Sequence, residues 1–501
     1  MTARPIMVQG TMSNVGKSVL AAGLCRVFSQ DGYRVAPFKA QNMALNSGVT
    51  ADGLEMGRAQ IMQAEAAGVS PDVSMNPILL KPEGDVGSQV IVLGEAVASM
   101  PAREYFRYRP RLADTVRDAY AGLARENDIV VIEGAGSPAE VNLGRDLFVN
   151  MGMAAIADAP VLLVGDIDPG GVFAQLYGTL ELLGPDDRAR VRGLLINKFR
   201  GDPSLLEPGL ADLGARCGVP VLGVVPYTPL DLDDEDSLSG RLARASQPHA
   251  SALDIAVVRL PRLSNFTDFS VLDCPPTSGV RYVTDARELG RPDLVVLPGS
   301  KRTMDDLAWL KRSGIARCIR ALAGQGTPVI GICGGFQMLG GALEDPYGTE
   351  GGGAVEGLGL LPVSTVFGGS KRTARTATAL KADEGVFHAL DGLTAEGYEI
   401  HTGHTEPAPG ARAITVESPA GGLLAASRGN IWGTYLHGVF DASAVTQALM
   451  AALLQARGLP AREGAVPNWG ERRQAAYDKL ADTLRKSVDM EAVYRIMGVA
   501  R

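Results

Sequence analysis

The chain has 501 residues, 46% hydrophobic and 21% charged, a composition suited to two or three globular domains and not to a disordered or fibrous protein. Its 48 basic residues are outnumbered by 56 acidic ones, a net charge of −8, so no broad basic surface is expected and neither nucleic acid nor a membrane is an expected partner. Five scattered cysteines (Cys25, Cys217, Cys274, Cys318 and Cys333) without CxxC spacing speak against a disulfide framework or a zinc site. MTARP runs directly into a strand-like segment, and no run of about 18 apolar residues occurs, so a cytoplasmic location is expected.

In the first half, apolar runs alternate with helix-like segments: PIMVQG, then VLAAGLCRVFSQ; YRVAPFK; DIVVIEGAG; APVLLVGDID, then GVFAQLYGTLELL; VRGLLINKF; VPVLGVVPY. This alternation predicts a parallel sheet covered by helices on both faces. Between the first strand and its helix stands GTMSNVGKS, residues 10–18, the pattern of a phosphate-binding loop with one additional residue between Gly10 and Gly16. Backbone N–H groups would cradle phosphate, Lys17 would neutralise it and the Ser18 hydroxyl would reach magnesium.

That loop resembles the one in dethiobiotin synthetase-like enzymes, which use ATP to phosphorylate a substrate carboxylate. The resemblance implies ATP contacts from Gly10, Thr11, Asn14, Val15, Gly16, Lys17 and Ser18, with Ser18 also a ligand of Mg2+. It continues at VVIEGAGS, where Glu133 matches a magnesium ligand, at Lys39 of PFKAQN, which matches a lysine on the reacting phosphate, and at Asn197 of LLINKF, which holds the place of the adenine-reading residue. The lesser alternative for Glu133 is a strand-end carboxylate facing water. The family's second metal carboxylate has Glu55 as first candidate and Asp52 as second. Asp166 and Asp168 in GDIDPGG are candidates near the phosphates or turn-forming residues.

After Pro226 the alternation breaks at the acidic run DLDDEDS, residues 231–237, read as a solvated linker. Strand-like runs resume at ALDIAVVRL and continue through PDLVVLPGS, PVIGIC, ARAITVES and NIWGTYLHG. The glycine- and threonine-rich stretch from about 346 to 378 reads as loop and short strands. VIGICGGFQMLG, residues 329–340, places Cys333 in a glycine-rich turn between a strand and a helix, the setting of a nucleophile. His437, in GTYLHGVF, is the candidate base, although a histidine there reads equally as structural. VTQALMAALLQAR and ERRQAAYDKLADTLRKSVDMEAVYRIM are amphipathic and predict closing helices.

Cys333 in GICGGFQMLG and His437 in YLHGVF together resemble the class I glutamine amidotransferase domain. The resemblance implies a thiol that attacks the side-chain amide of glutamine and releases ammonia, with Gly299 and Ser300 of DLVVLPGSK and Gly334 contributing to the oxyanion and glutamine site. Most such domains carry a glutamate two residues after the histidine. Here Val439 stands there, which points to the Cys-His subgroup and leaves open what orients the imidazole.

KAQNMALNSGVTADGLEMGRAQIMQAEAA, MNPILLKPEGDVGSQVIVLGE, VGDIDPGGVFAQLYGT, RLPRLSNFTDF and YEIHTGHT together resemble the cobyric acid synthase family over nearly the whole chain. That family amidates the b, d, e and g carboxylates of adenosyl-cobyrinic acid a,c-diamide, so a corrinoid is the implied substrate, with ATP, Mg2+ and glutamine. The a,c-diamide synthase is the near alternative, and a P-loop switch or partition ATPase the alternative of another class. Asn42, Asn46, Gln60, Asn76 and Lys81 are candidate polar contacts for the corrinoid carboxylates, or an ordinary polar loop. Tyr398, Glu399 and His401 belong either near the Cys-His pair or at a seam between domains.

The expected architecture is α/β: two parallel-sheet, three-layer domains, one P-loop NTPase-like and one class I glutamine amidotransferase-like, with C-terminal helices. The expected boundaries are 1–238 for the ATP domain, 239–252 for a linker, 253–445 for the amidotransferase domain and 446–501 for a helical end.

Overall fold

The computed structural model describes residues 3–83, 87–143, 147–230, 251–274, 276–382, 384–410, 412–460 and 468–499. The acidic run 231–237 and nearly all of the expected linker lie outside the described residues. No described helix is long and apolar enough to cross a membrane.

The chain divides into two compact units, the first comprising residues 1–44, 55–232 and 473–501 and the second 45–54 and 233–472. This departs from a simple succession of domains in two places. Residues 45–54 leave the first unit for the second, and the helical end is shared, its last 29 residues returning to the first unit.

The first unit is built on six parallel strands in the order Val221–Pro226, Val191–Phe199, Val161–Asp166, Arg4–Gly10, Ile129–Glu133, Val35–Phe38. Its strands are apolar on both faces, as a sheet covered on both sides requires. Met7, Val130, Ile132, Val161 and Leu163 join one core, while Ile6, Val8, Ile129, Val131, Leu162 and Val164 join the other. The second core is closed by helix Lys17–Gln30 and by the C-terminal helices, through Tyr477, Leu480, Leu484 and Tyr494. Helix-on-helix contact there needs Gly23, where a β-carbon would fall 2.5 Å from a Leu484 methyl. A separate four-stranded sheet, Gln41–Met43, Ile78–Pro82, Gly87–Val92 and Glu95–Pro101, completes the unit.

The second unit has seven strands in the order Ser278–Val283, Leu253–Val258, Leu294–Leu297, Val329–Ile332, Ile431–Thr434, Leu423–Arg428, Ile414–Glu417. The first five are parallel and the last two join antiparallel. The stretch read as loop and short strands is loop with the short strand Gly353–Glu356 in its first half, but from Val363 onward it corrects to one side of a long antiparallel pair, Val363–Ala379 with Thr394–Pro407, interrupted by a register shift between Phe367 and Arg372. Threonine-rich alternation is compatible with a strand, but only the distant partner decides it. In both sheets the motif-bearing loops follow the C-terminal ends of parallel strands, the edge where open α/β sheets bind ligands.

Candidate active sites

Cys333 caps strand Val329–Ile332 at φ 50° and ψ −107°, a conformation rarely adopted by residues with a β-carbon. Glycines on either side make the turn feasible. A β-carbon at Gly335 would lie 1.9 Å from the Leu297 carbonyl oxygen, and one at Gly331 would lie 2.6 Å from a Leu339 methyl. The thiol is thereby lifted out of the strand, with 8% of the residue exposed, and lies 3.4 Å from the Ile400 carbonyl oxygen.

His437 follows strand Ile431–Thr434, and the Cys333 thiol is among the groups that raise its imidazole pKa. Its Nδ1 lies 2.7 Å from Asp268 Oδ2, and the next backbone N–H, at Gly438, donates to Asp268 Oδ1 at 3.1 Å. Burial alone would push the imidazole pKa down. The Asp268 carboxylate beside it, with the hydrogen bonds from Asp268 and Cys333, outweighs burial and holds the pKa up, at about 10. The side chains thus form a line Cys333–His437–Asp268, in which the carboxylate fixes the ring and favours the imidazolium.

Asp268 was not singled out in the sequence. It lies 169 positions from His437, on the fully buried 3-10 turn Phe266–Leu272. The available signal was one acidic residue inside the otherwise uncharged run FTDFSVL. Val439, at the position where related domains place a glutamate, is instead 1% exposed in the core.

The remaining glutaminase candidates meet at the same place. A β-carbon at Gly334 would come within 2.9 Å of Ser300 N, and one at Gly299 would come within 3.5 Å of His437 Cε1. The Ser300 hydroxyl donates to Asp306 at 2.6 Å, holding the loop after Leu294–Leu297. Tyr398 stacks on His437, with ring centroids 5.3 Å apart and an 18° interplanar angle, and the two residues exchange backbone hydrogen bonds. Glu399 is buried and accepts from Thr376 and Ser418, each at 2.6 Å. His401 stacks on Tyr435 at 3.7 Å. All three belong to the second unit, with Tyr398 the one that touches the dyad.

In the first unit, the phosphate-type loop leaves strand Arg4–Gly10 and ends in helix Lys17–Gln30. Asn14 and Gly16 have positive φ, 61° and 95°, which turns the backbone into a concave loop. A β-carbon at Gly10 would lie 2.4 Å from Val15. Lys17 Nζ donates to the carbonyls of Met12 and Gly136, at 3.0 and 3.1 Å, and so bridges the loop and the segment after Glu133. Thr11 Oγ1 donates to Gln175 at 3.2 Å. Asn197 Nδ2 donates to the Val15 carbonyl at 2.8 Å, tying strand Val191–Phe199 to the loop.

Glu133 is the hub of a buried polar cluster. Ser18 Oγ and Lys39 Nζ each donate to Oε1 at 2.8 Å, while Gln63 and Gln60 donate to Oε2 at 2.6 and 3.3 Å. At 1% exposure it is not a strand-end carboxylate facing water.

The model of the CobQ/CobB/MinD/ParA nucleotide binding domain matches residues 6–237, and that of the CobB/CobQ-like glutamine amidotransferase domain matches residues 254–445. A relative from Ruminiclostridium cellulolyticum named cobyric acid synthase is 52% identical over 99% of this chain and 97% of its own. Relatives of the same name from Yersinia enterocolitica and Sorangium cellulosum are 50% and 52% identical, covering 98% and 100% of both chains. The chain belongs to the cobyric acid synthase family. A solved glutamine amidotransferase structure matches 41% of this chain and 99% of its own, at 14% identity and a TM-score of 0.30.

In this member of the cobyric acid synthase family, several polar candidates sit deeper than a substrate-facing loop would. Asn42 donates to Gln60 at 3.0 Å, and Asn76 is spent on the backbone of Gly57, Lys39 and Ile78. Asn42, Gln60 and Asn76 all close on Gly57, where a β-carbon would be within 3.0 Å of each. Lys81 is buried and paired with Glu55 at 2.8 Å. Glu55, first candidate for the second metal carboxylate, is thus the partner of a buried cation, as Glu133 is of Lys39. Asp52 is exposed and falls in the segment that joins the second unit. Asn46 lies buried in that same segment. Asp166 pairs with Lys198 at 2.6 Å and Asp168 with Arg200 at 3.3 Å, and Lys198 also donates to Asn14 O. Asp166, through Lys198, thus holds the rim of the loop.

The donor set at Ser18 and Glu133 fits magnesium. Both atoms are hard oxygens, and their 2.8 Å separation is close to the ~3 Å edge of an octahedron with metal–oxygen distances of about 2.1 Å. Among the described residues no group of three or more His, Cys, Asp and Glu could hold a metal. One hydroxyl and one carboxylate leave the other positions to phosphate oxygens and water, the usual arrangement for this ion.

Asp268→Asn tests the orienting carboxylate. Without its charge, the largest influence opposing burial is lost and the His437 pKa falls, so the alkaline limb of glutamine hydrolysis moves to lower pH. The rate is expected to fall roughly 10²–10⁴-fold, with amidation from ammonia preserved. An unshifted pH profile would remove Asp268 from its role.

Proposed function

We infer that this chain performs the reaction of the cobyric acid synthase family, ATP- and glutamine-dependent amidation of the b, d, e and g carboxylates of adenosyl-cobyrinic acid a,c-diamide. The observation that carries the reading is the presence, on one chain, of a thiol–imidazole–carboxylate line and a phosphate loop beside a buried carboxylate–lysine pair. Full-length identity to relatives named cobyric acid synthase supports this substrate over the a,c-diamide synthase reading. A nucleotide switch has no use for Cys333.

A carboxylate at neutral pH is a poor acyl donor, because attack on it would expel oxide. Transfer of the γ-phosphoryl group of ATP to a carboxylate oxygen gives an acyl phosphate and ADP. Ammonia then attacks the acyl carbon, phosphate leaves with the C–O electron pair, and one proton is lost to give the amide. Lys17 and Lys39 are assigned to the transferring phosphate, the residue 10–18 loop to the ATP phosphates and Asn197 to the base. Magnesium, held by Ser18 and Glu133, would neutralise phosphate charge.

At the other site the Cys333 thiolate attacks the glutamine amide carbon, and the oxyanion is assigned to the backbone around Gly299, Ser300 and Gly334. Imidazolium His437 donates its proton to the leaving nitrogen, releasing ammonia and leaving a thioester. A water molecule deprotonated by His437 then frees glutamate and restores the thiol. Ammonia, not ammonium, is the nucleophile, so transfer without equilibration in bulk water preserves its reactivity.

Mass spectrometry of the a,c-diamide substrate incubated with ATP, magnesium and glutamine tests the substrate assignment. Four successive exchanges of OH for NH₂ are expected. Amidation only of cobyrinic acid itself would transfer the assignment to the a,c-diamide synthase reaction.

A further inference from the structure

Within the second unit, the oxyanion side and the base side of the glutaminase site hang on one short ribbon. Leu263–Ser264 pairs antiparallel with Gly299–Ser300, Leu263 opposite Ser300 and Ser264 opposite Gly299. Lys301 N closes the end of this ribbon by donating to the Arg262 carbonyl at 3.0 Å. One strand holds the backbone assigned to the oxyanion, and the other leads through Asn265, at φ 51°, into the turn Phe266–Leu272 that carries Asp268. The ribbon's register therefore sets where the oxyanion groups stand relative to His437. A pairing this short is a weak clamp by itself.

Asp306 supplies a further grip. It lies in helix Thr303–Arg312 at 2% exposure, and its Oδ2 accepts from the Ser300 hydroxyl at 2.6 Å and from Arg262 N at 3.1 Å. One oxygen thus takes a bond from each side of the ribbon. Both donors lie outside the helix that carries Asp306, so capping of that helix does not account for the buried carboxylate. The Ser300 hydroxyl in turn accepts from Arg302 N at 3.0 Å, which shapes the loop just past the oxyanion backbone. The tolerances around it are small. A β-carbon at Gly299 would lie 3.0 Å from the Ser264 carbonyl oxygen, so the two strands approach as closely as glycine allows, with His437 against the same residue.

We propose that Asp306 is a positioning residue for glutamine hydrolysis, its Oδ2 fixing the register of the ribbon and with it the placement of the oxyanion groups against the Asp268–His437 pair. It acts through Ser300 and Arg262 and not on the reacting atoms. The proposal rests on the glutaminase reading above and adds to it the residue that keeps the two halves of that site aligned. Misplacing a catalytic group by about 1 Å costs rate on the order of 10²-fold. Oxyanion groups act on charge that develops in the transition state, so the loss falls on kcat and not on KM.

Asp306→Ala, Asp306→Asn and Ser300→Ala are compared in the full-length protein supplied with ATP, magnesium and the a,c-diamide corrinoid. Glutamate release gives kcat and KM for glutamine, and amidation from ammonia is followed alongside. Asp306→Ala is expected to lower kcat roughly 10²-fold with KM within about twofold of the wild type. Asp306→Asn, whose amide oxygen can still accept both bonds, is expected to stay within about fivefold. Ser300→Ala removes one of the same two bonds and is expected to lower kcat roughly tenfold, yet to lower it no further when added to Asp306→Ala. Amidation from ammonia is expected to be unchanged in all of them. Wild-type kcat in Asp306→Ala, a loss confined to KM, an asparagine variant as slow as the alanine one, or a matching loss of amidation from ammonia would each overturn the proposal. If Asp306→Ala does not fold, Ser300→Ala decides, and a wild-type kcat there overturns it. Absence of glutamate release by the wild type would overturn the glutaminase reading itself, and the proposal with it.

Discussion

Cys333→Ala is expected to abolish glutamine-supported amidation, by at least about 10⁴-fold, while amidation from concentrated ammonia persists near the wild-type rate. The thiol is the atom that bonds to glutamine, and neither His437 nor the oxyanion groups can replace it. The other site lies on strands of a different sheet, with the phosphate loop after Arg4–Gly10 and the cysteine after Val329–Ile332, so the substitution does not disturb carboxylate activation. Alanine is also tolerable sterically, because it retains the β-carbon that the φ 50° turn already accommodates. Measuring glutamate and amide formation with each nitrogen donor checks both halves of the expectation. Normal amide yield from glutamine would eliminate the thiol's role.

Lys17→Ala is expected to fail with either donor, with amidation reduced at least about 10²–10³-fold. The reason is electrostatic. Lys17 supplies the cation of the concave loop, and its Nζ spans the Met12 and Gly136 carbonyls, the loop and the Glu133 segment. Its loss leaves polyphosphate facing backbone N–H groups without that compensating charge, next to the carboxylate of Glu133. Glutamine hydrolysis in the absence of ATP should survive, since Cys333, His437 and Asp268 are unchanged. Unaltered amidation from ammonia would remove the phosphate-loop assignment.

Those two substitutions address motifs that were legible because they are local. A glycine loop between a strand and a helix, and a cysteine elbow between a strand and a helix, are each contained within about a dozen residues, and backbone geometry dictates their composition. The parallel strands were legible for a similar reason, as runs such as VVIE and VLLVGD are apolar on both faces.

Partners distant in sequence were not legible. Asp268 meets His437 only through the fold, and its neighbours FTDF carry no spacing that points to a histidine 169 residues away. Amphipathic character placed helices at the C-terminus, but an apolar stripe does not name the surface it covers, and Tyr477, Leu480 and Leu484 close the first unit. Strand Val363–Ala379 reads as loop and short strands in sequence because glycine and threonine are ambiguous until Thr394–Pro407 pairs with it.

The buried polar candidates illustrate a further limit. Asn42, Gln60, Asn76 and Lys81 were chosen as groups able to face a polycarboxylate, and each is at most 4% exposed. Their hydrogen bonds run to one another, to backbone and to Glu55 and Glu133, so their effect on a substrate would pass through the carboxylate cluster. Sequence identifies such polar residues but not whether their hydrogen-bonding capacity is already used.

The central claim is that nitrogen freed at Cys333 becomes the amide nitrogen of a carboxylate activated at the phosphate loop. It is tested most directly by supplying amide-¹⁵N glutamine with ATP, magnesium and the a,c-diamide corrinoid, in buffer containing unlabelled ammonium, and weighing the product. Every newly formed amide is expected to carry ¹⁵N, with one phosphate released for each. New amides carrying only the unlabelled nitrogen of the buffer, or glutamine consumed without any corrinoid amide, would contradict it.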